Sequence, residues 1–295
     1  MNDDGRQATL VFGRSGQVAR ALAQVAEAAG RPVEIAGRDR CDLLSADPEA
    51  LILELRPAAV INASAHTAVD KAESEPDAAF RLNCEAPAAM ARACVRLGVP
   101  FVHISTDYVF DGSKPEPYRE DDPIGPLSVY GRSKAAGEAA ITDLGGAWTI
   151  FRTAWVMSPD GANFVNTMRR FAAEREVMRV VDDQRGRPTL AADIASLCLL
   201  AAERGQGGDA SLQGLFHLAG ADDATWADVA ERVFAEAERR TGRRPSLERI
   251  DTAQYPTPAK RPANSRLDTA RLQSAAGWTP RPWRETVDLC LATAS

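Results

Sequence analysis

Cysteine is scarce and scattered. The five present (Cys41, Cys84, Cys94, Cys198, Cys290) are odd in number and form no CxxC pair. That excludes a disulfide framework and a cysteine-based zinc cluster. Histidine is scarcer still, at three (His66, His103, His217), with no HExxH, so no metal site is expected. No apolar run approaches the roughly 18 residues of a membrane helix. Residues 1–7 are polar and lack the apolar core of a signal peptide, so the expected compartment is the cytoplasm. Basic charge is not in excess: 35 Lys+Arg against 41 Asp+Glu leave a net charge of −6. An acidic chain is a poor partner for a nucleic-acid backbone. A small anionic ligand needs only a local basic pocket and is not excluded.

What is present is strand–helix alternation. Residues 9–12, 33–36, 59–62, 101–105 and 147–154 read as strands, and 18–30, 47–56, 78–97 and 129–143 as helices. Asp47-Pro48 supplies a helix start, Gly98 a stop, and Pro87 must kink or interrupt the 78–97 helix. Such alternation implies an α/β fold, a doubly wound parallel sheet covered on both faces. Ligands of such sheets bind beyond the carboxyl ends of the strands. After about residue 155 the pattern loosens. Helices are expected over 163–175, 191–204 and 225–241, short strands over 178–181 and 215–218, and prolines cluster between Pro245 and Pro282. The division expected is a dinucleotide-binding domain over 1–155 and a smaller, interleaved substrate-binding lobe over 156–295.

The segment Gly13-Arg14-Ser15-Gly16-Gln17-Val18-Ala19 follows the first strand and opens a helix. Gly13 and Gly16 let the backbone turn sharply toward a pyrophosphate, and the helix N-terminus offers it free N–H groups. The spacing is GxxGxxA rather than GxGxxG, so it also fits an ordinary strand-to-helix turn; its place after the first strand favours the dinucleotide. The second strand ends Ala36-Gly37-Arg38-Asp39-Arg40. Arginines here suit the 2′-phosphate of NADPH and an acidic residue suits the ribose of NADH. We expect NADPH, with NADH also used, and Asp42-Leu43 beside the adenine.

Tyr130 and Lys134 stand four apart on a predicted helix and so share one face. A free phenol has a pKa near ~10, and an adjacent ammonium is expected to lower it, making the tyrosine a general acid–base. The predicted strand end at Ser105-Thr106-Asp107 places the Thr106 hydroxyl beyond the sheet, where it can bond the substrate oxygen that Tyr130 protonates.

Together these residues resemble the extended short-chain dehydrogenase/reductases, and more narrowly the dTDP-4-dehydrorhamnose reductase family. The likeness rests on residues 13–18 (GRSGQV), 61–75 (INASAHTAVDKAESE), 105–110 (STDYVF), 130–134 (YGRSK) and 255–267 (YPTPAKRPANSRL), with support from 151–156 (FRTAWV) and 183–189 (DQRGRPT). It implies a Rossmann-like fold and reduction of the C4 ketone of dTDP-4-dehydro-L-rhamnose by NADPH or NADH. In that reaction Tyr130 protonates the alkoxide, Lys134 supports Tyr130 and holds the nicotinamide ribose, and Thr106 tunes the transfer. It further implies cofactor contacts at Gly16, Gln17, Val18, Asp42, Leu43, Ala65, His66 and Thr67, and sugar-nucleotide contacts at Thr106, Asp107 and Trp155. Arg187, Lys260, Arg261 and Arg266 are the candidates for the substrate diphosphate.

The chain also departs from the family. Ala19 replaces a third glycine, and the glutamates that bridge some members through magnesium match Ala21 and the neighbourhood of Ala191-Ala192. A metal-bridged dimer is therefore not expected, and a monomer or an ordinary homodimer is. Two other readings remain open. One is a reductase of another NDP-4-keto-6-deoxysugar; the other is a non-catalytic nucleotide-binding regulatory subunit. A dehydratase is disfavoured because Tyr108 stands where its second acidic residue belongs.

Overall fold

Four strands near the centre of the molecule are buried almost along their whole length: Thr9–Phe12 (β1), Ala59–Asn62 (β3), Phe101–Thr106 (β4) and Trp148–Thr153 (β5). Strands without a solvent face belong to a sheet covered on both sides. With Val33–Ala36 (β2) and Gly214–Leu218 (β6) they form a six-stranded sheet in the order β6-β5-β4-β3-β1-β2, every pairing parallel. This is a doubly wound Rossmann-like sheet, in a computed structural model that describes residues 8–292. The polar segment 1–7 lies outside the described residues.

On one face, the helices Gln17–Ala28 and Ala191–Gln206 pack Leu22, Ala26, Ile194 and Cys198 onto Val11, Ile61, Val102 and Phe151. On the other, Pro48–Leu55, Ala86–Leu97 and Val129–Asp143 contribute Ile52, Met90 and Ile141 against Leu10, Val60 and Ile150. Fully burying side chains of this size stabilises by roughly 1.5–3 kcal/mol each. A third cluster forms a lobe of its own. There the helices Phe164–Glu174, Trp226–Thr241 and Trp283–Ala292 bury Met168, Val233, Phe234 and Val287. Two strands, Val177–Val181 and Ser246–Ile250, pair in parallel at its edge.

The chain crosses between these bodies more than once. Segments 191–206 and 214–218, expected in the second half, join the main sheet and its covering layer. The strand Ser246–Ile250, directly after Pro245, lay in a stretch whose prolines masked it. The 78–97 helix starts earlier, at Pro76, and is interrupted by a π-helical turn at Arg81–Glu85 before resuming at Ala86. Pro87 offers no N–H to the carbonyl of Asn83 four residues before it, and the wider turn absorbs the misfit. No helix among the described residues is long and apolar enough to cross a membrane.

Candidate active site

Strand order reverses between β1 and β3, and the loops leaving these strands diverge there, which opens a crevice at their carboxyl ends. Gly13, directly after β1, has φ +116°, and a Cβ on it would lie 3.0 Å from the Ala63 carbonyl oxygen after β3. Only glycine fits that approach. The helix Gln17–Ala28 begins with Gly16 as N-cap, with no side-chain cap and no acidic residue in its first turn. Its leading N–H groups are thus left for an anion. Gly16, Gln17 and Val18 line a cavity of about 500 Å³ together with Ala65 and Thr67.

Arg38, Asp42, Leu43 and His66 lie outside that lining. Arg38 is exposed after β2, next to Asp39, which pairs with Arg14 at 3.0 Å. Asp42 accepts a hydrogen bond from the Leu44 N–H, and the Leu43 side chain is buried with Leu10, Phe12 and Ile52, so only its backbone is left to face a ligand. The His66 ring turns to Glu75, with Nε2 3.6 Å from Oε2. The His66 backbone is clamped by Asn83, whose Oδ1 accepts from the His66 N–H (2.8 Å) and whose Nδ2 donates to the His66 carbonyl (3.1 Å) and to Ser133 Oγ (2.9 Å). Asn83 thereby ties the Ala65–Thr67 loop to the Tyr130 helix. The sequence reading missed it; the one available signal was Pro87, which forces the π-turn that carries it.

The helix Val129–Asp143 is held in place at its start. Ser128 Oγ accepts from the Gly131 N–H (3.1 Å), and the Glu73 carboxylate accepts from the Val129 N–H (2.7 Å), charge-matched to the helix N-terminus. At Gly131 a Cβ would sit 2.2 Å from the Tyr108 carbonyl oxygen, so this glycine lets the helix press against the end of β4. Tyr130, Lys134, Thr106 and Asp107 all line the cavity.

Electrostatics correct one expectation. Burial pushes the Tyr130 phenol above its ordinary range, reinforced by Asp107 and Tyr108 and only partly offset by its hydrogen bond with Thr106. Burial outweighs the lowering expected from Lys134. The Lys134 amine is itself buried, donates to the Ile104 carbonyl (2.6 Å) and lies 3.2 Å from His103 Nε2. Burial brings its pKa down to about 8, against the pull of Glu138. Asp107 is pushed up to about 6 by burial, with hydrogen bonds from Ser265 and Thr106 holding it back. Thr106 Oγ1 donates to Asp107 Oδ1 (3.0 Å) and accepts from the Tyr108 N–H (3.2 Å).

The opposite wall comes from the lobe. Trp155 lines the cavity at φ +48°, its ring stacked on Trp226 at 3.6 Å between centroids. Trp226 Nε1 donates to Gln184 Oε1 (3.2 Å), and both residues face the cavity. Arg261 also lines it, bound to Asp70 (2.7 Å) and donating to the Tyr108 hydroxyl (3.2 Å). Arg187 does not line it: its guanidinium is committed to Asp223 (2.9 Å) and the Leu267 carbonyl (2.8 Å). Arg266 shares Asp223, and Lys260 is exposed outside the lining. Of the four basic candidates, Arg261 alone lines the cavity. Gln184 and Trp226 were missed, since a polar residue and a helix-start tryptophan carry no sequence signal that separates pocket from core.

Comparison with known proteins agrees with this geometry. Residues 7–295 match the family described as RmlD substrate binding domain. A dTDP-4-dehydrorhamnose reductase of Sinorhizobium fredii is 46% identical over 281 residues, 94% of each chain. The crystal structure of a dTDP-4-dehydrorhamnose reductase from Clostridium acetobutylicum superposes with a TM-score of 0.88 at 33% identity, covering 97% of this chain and 98% of that one. A Bacillus anthracis dTDP-4-dehydrorhamnose reductase in complex with NADP gives a TM-score of 0.88 at 29% identity, covering 98% and 100%. A match over nearly the whole length, on a cavity that holds the motif residues, makes this chain a member of the RmlD substrate binding domain family, alongside the dTDP-4-dehydrorhamnose reductases.

Proposed function

We propose that this chain reduces the C4 ketone of dTDP-4-dehydro-β-L-rhamnose to dTDP-β-L-rhamnose, the last step of dTDP-L-rhamnose synthesis, using NADPH and also accepting NADH. The observation that carries the reading is the convergence of Tyr130, Thr106 and Lys134 in one cavity with the glycine turn of β1. The uncapped start of the helix Gln17–Ala28 and the close approach at Gly13 fit a dinucleotide pyrophosphate. When bound, the nicotinamide supplies the hydride.

The residues do the rest. Tyr130 protonates the oxygen on C4, and its burial suits that task, because a reduction needs the phenol to hold its proton until an alkoxide forms. Thr106 orients the phenol and the substrate oxygen. Lys134, with a weakened hold on its own proton, restores the phenol after turnover. Trp155 and Trp226 offer an apolar wall to the deoxysugar, and Arg261 a charge to the diphosphate.

The test is oxidation of NADPH with the ketosugar nucleotide generated in situ and the product identified by NMR. Tyr130→Phe is expected to bind NADPH as before and to lose kcat by at least about 10²-fold. Near-normal kcat in that variant sinks the acid–base assignment. Failure of the normal chain to turn over despite binding NADPH points to another ketosugar.

A further inference from the structure

Behind Lys134 lies a second polar pair that the reaction as described does not use. His103 and Asn62 are both fully buried, at neighbouring places on β4 and β3, and neither lines the cavity. The direction of each hydrogen bond between them can be read. The Ser64 backbone N–H lies 3.0 Å from Asn62 Oδ1 and the Ser64 hydroxyl 2.5 Å from the same atom. A backbone N–H only donates, so this end of the amide is the oxygen. The Asn62 nitrogen then faces His103 Nδ1 at 3.1 Å and donates to it. A neutral imidazole carries one proton. With Nδ1 accepting, that proton is on Nε2, which points at Lys134 Nζ 3.2 Å away. Two donors facing each other make no bond. The contact is favourable only when Nζ presents a lone pair.

We propose that His103, locked by Asn62 with its proton on Nε2, is a positioning residue that favours the neutral amine of Lys134. The inference rests on the role given to Lys134 above. It supplies a reason for the proton to leave: when Nζ gives one H⁺ to the Tyr130 phenolate, the ammonium becomes an amine, the phenolate becomes a phenol, and the new lone pair accepts the His103 N–H. Meanwhile Nζ keeps donating to the Ile104 carbonyl. The other titratable groups nearby are Glu138 and Tyr130 on the same helix and Arg152 of β5, which neutralises Glu138 at 2.7 Å, while Asp107 acts on Tyr130. None of these supplies a directional contact of this kind to Nζ. Burial keeps His103 itself neutral, well below the ordinary histidine range.

Two NMR measurements test this without turnover, so their outcome is separate from that of the assay above. In ¹⁵N-histidine-labelled protein with NADPH bound, three imidazoles are to be resolved, and His103→Gln identifies the signal of interest. A bare Nδ1 and a protonated Nε2 are expected; a proton on Nδ1 overturns the proposal. Labelled lysine then reports the Lys134 titration among four lysines. Asn62→Asp replaces the donor with an acceptor, moves the ring proton to Nδ1 and frees Nε2 to accept from an ammonium. It is expected to raise the Lys134 midpoint by about 1 unit or more. In a His103→Phe background most of that rise is expected to vanish. A midpoint that does not move, or an equal rise without the imidazole, overturns the proposal. Should Asn62→Asp not fold, the ring protonation in the unaltered chain decides alone.

Discussion

On the sheet side of the cavity, close backbone approaches hold the reactive groups, whereas on the lobe side the side chains hold one another. Gly13 against Ala63 and Gly131 against Tyr108 leave no room for a methyl group, and they fix where the glycine turn and the Tyr130 helix stand. Opposite them, Trp155 stacks on Trp226, Trp226 bonds Gln184, and Gln184 donates to Thr252 (3.0 Å). Backbone contacts set geometry to a fraction of an ångström, which proton transfer requires. Contacts between side chains are easier to rebuild with other residues, which suits the part of a site that selects the sugar nucleotide. Damage to the sheet side should therefore appear in folding and kcat, and damage to the lobe side in KM for the sugar nucleotide.

The largest effect is expected behind the sheet wall. Arg152 and Glu138 form a buried ion pair at 2.7 Å, and the Ser105 hydroxyl also binds Glu138. Arg152→Met strands the Glu138 carboxylate, at a cost of about 3–5 kcal/mol. Denaturant unfolding measures it, and a loss below about 1 kcal/mol would show that this wall yields. Gly131→Ala comes next. Its methyl group meets a carbonyl oxygen at 2.2 Å, so the helix must shift, costing about 1–3 kcal/mol and drawing Tyr130 away from Thr106. kcat should fall while KM for the sugar nucleotide holds. A variant as stable and as fast as the parent would erase the contrast between the walls.

Trp226→Ala probes the other side. Removing the ring that backs Trp155 is expected to raise KM for the sugar nucleotide about 10-fold. The NADPH dissociation constant, read by fluorescence titration, should not change. Equal weakening of both ligands would mean that the lobe wall also serves the cofactor.

The same division explains what the sequence disclosed. Backbone-determined features leave local marks: an apolar run for each strand, glycine where a Cβ cannot go, Tyr130 and Lys134 one turn apart. The boundaries of Thr9–Phe12, Val33–Ala36, Ala59–Asn62 and Val129–Asp143 were legible to the residue for that reason. The lobe wall joins Trp155, Gln184, Trp226 and Arg261 across about a hundred residues, and their meeting depends on packing that no local pattern encodes. Arg187 shows the converse case. An arginine in a recognisable motif suggested an anion, but its partner Asp223 lay too far along the chain to be seen. The Tyr130 phenol was misjudged for a related reason: spacing shows that an ammonium is near, while burial, the stronger influence here, appears only in the folded chain.

The smallest effect sharpens the comparison at the cofactor end, where neither kind of wall operates. Arg38 is exposed on the turn after β2, outside the cavity lining, and its neighbour Asp39 is already engaged by Arg14. If Arg38 meets the 2′-phosphate of NADPH, it does so in water, where a charge pair is worth up to about 1 kcal/mol. Arg38→Ala should then weaken NADPH by about 2- to 5-fold and leave NADH unchanged, with the difference shrinking as salt is added. Equal losses for both cofactors would remove Arg38 as the source of any preference. Arg14 would then be the next basic side chain to test, since on losing its pairing with Asp39 it becomes free to turn toward the same phosphate.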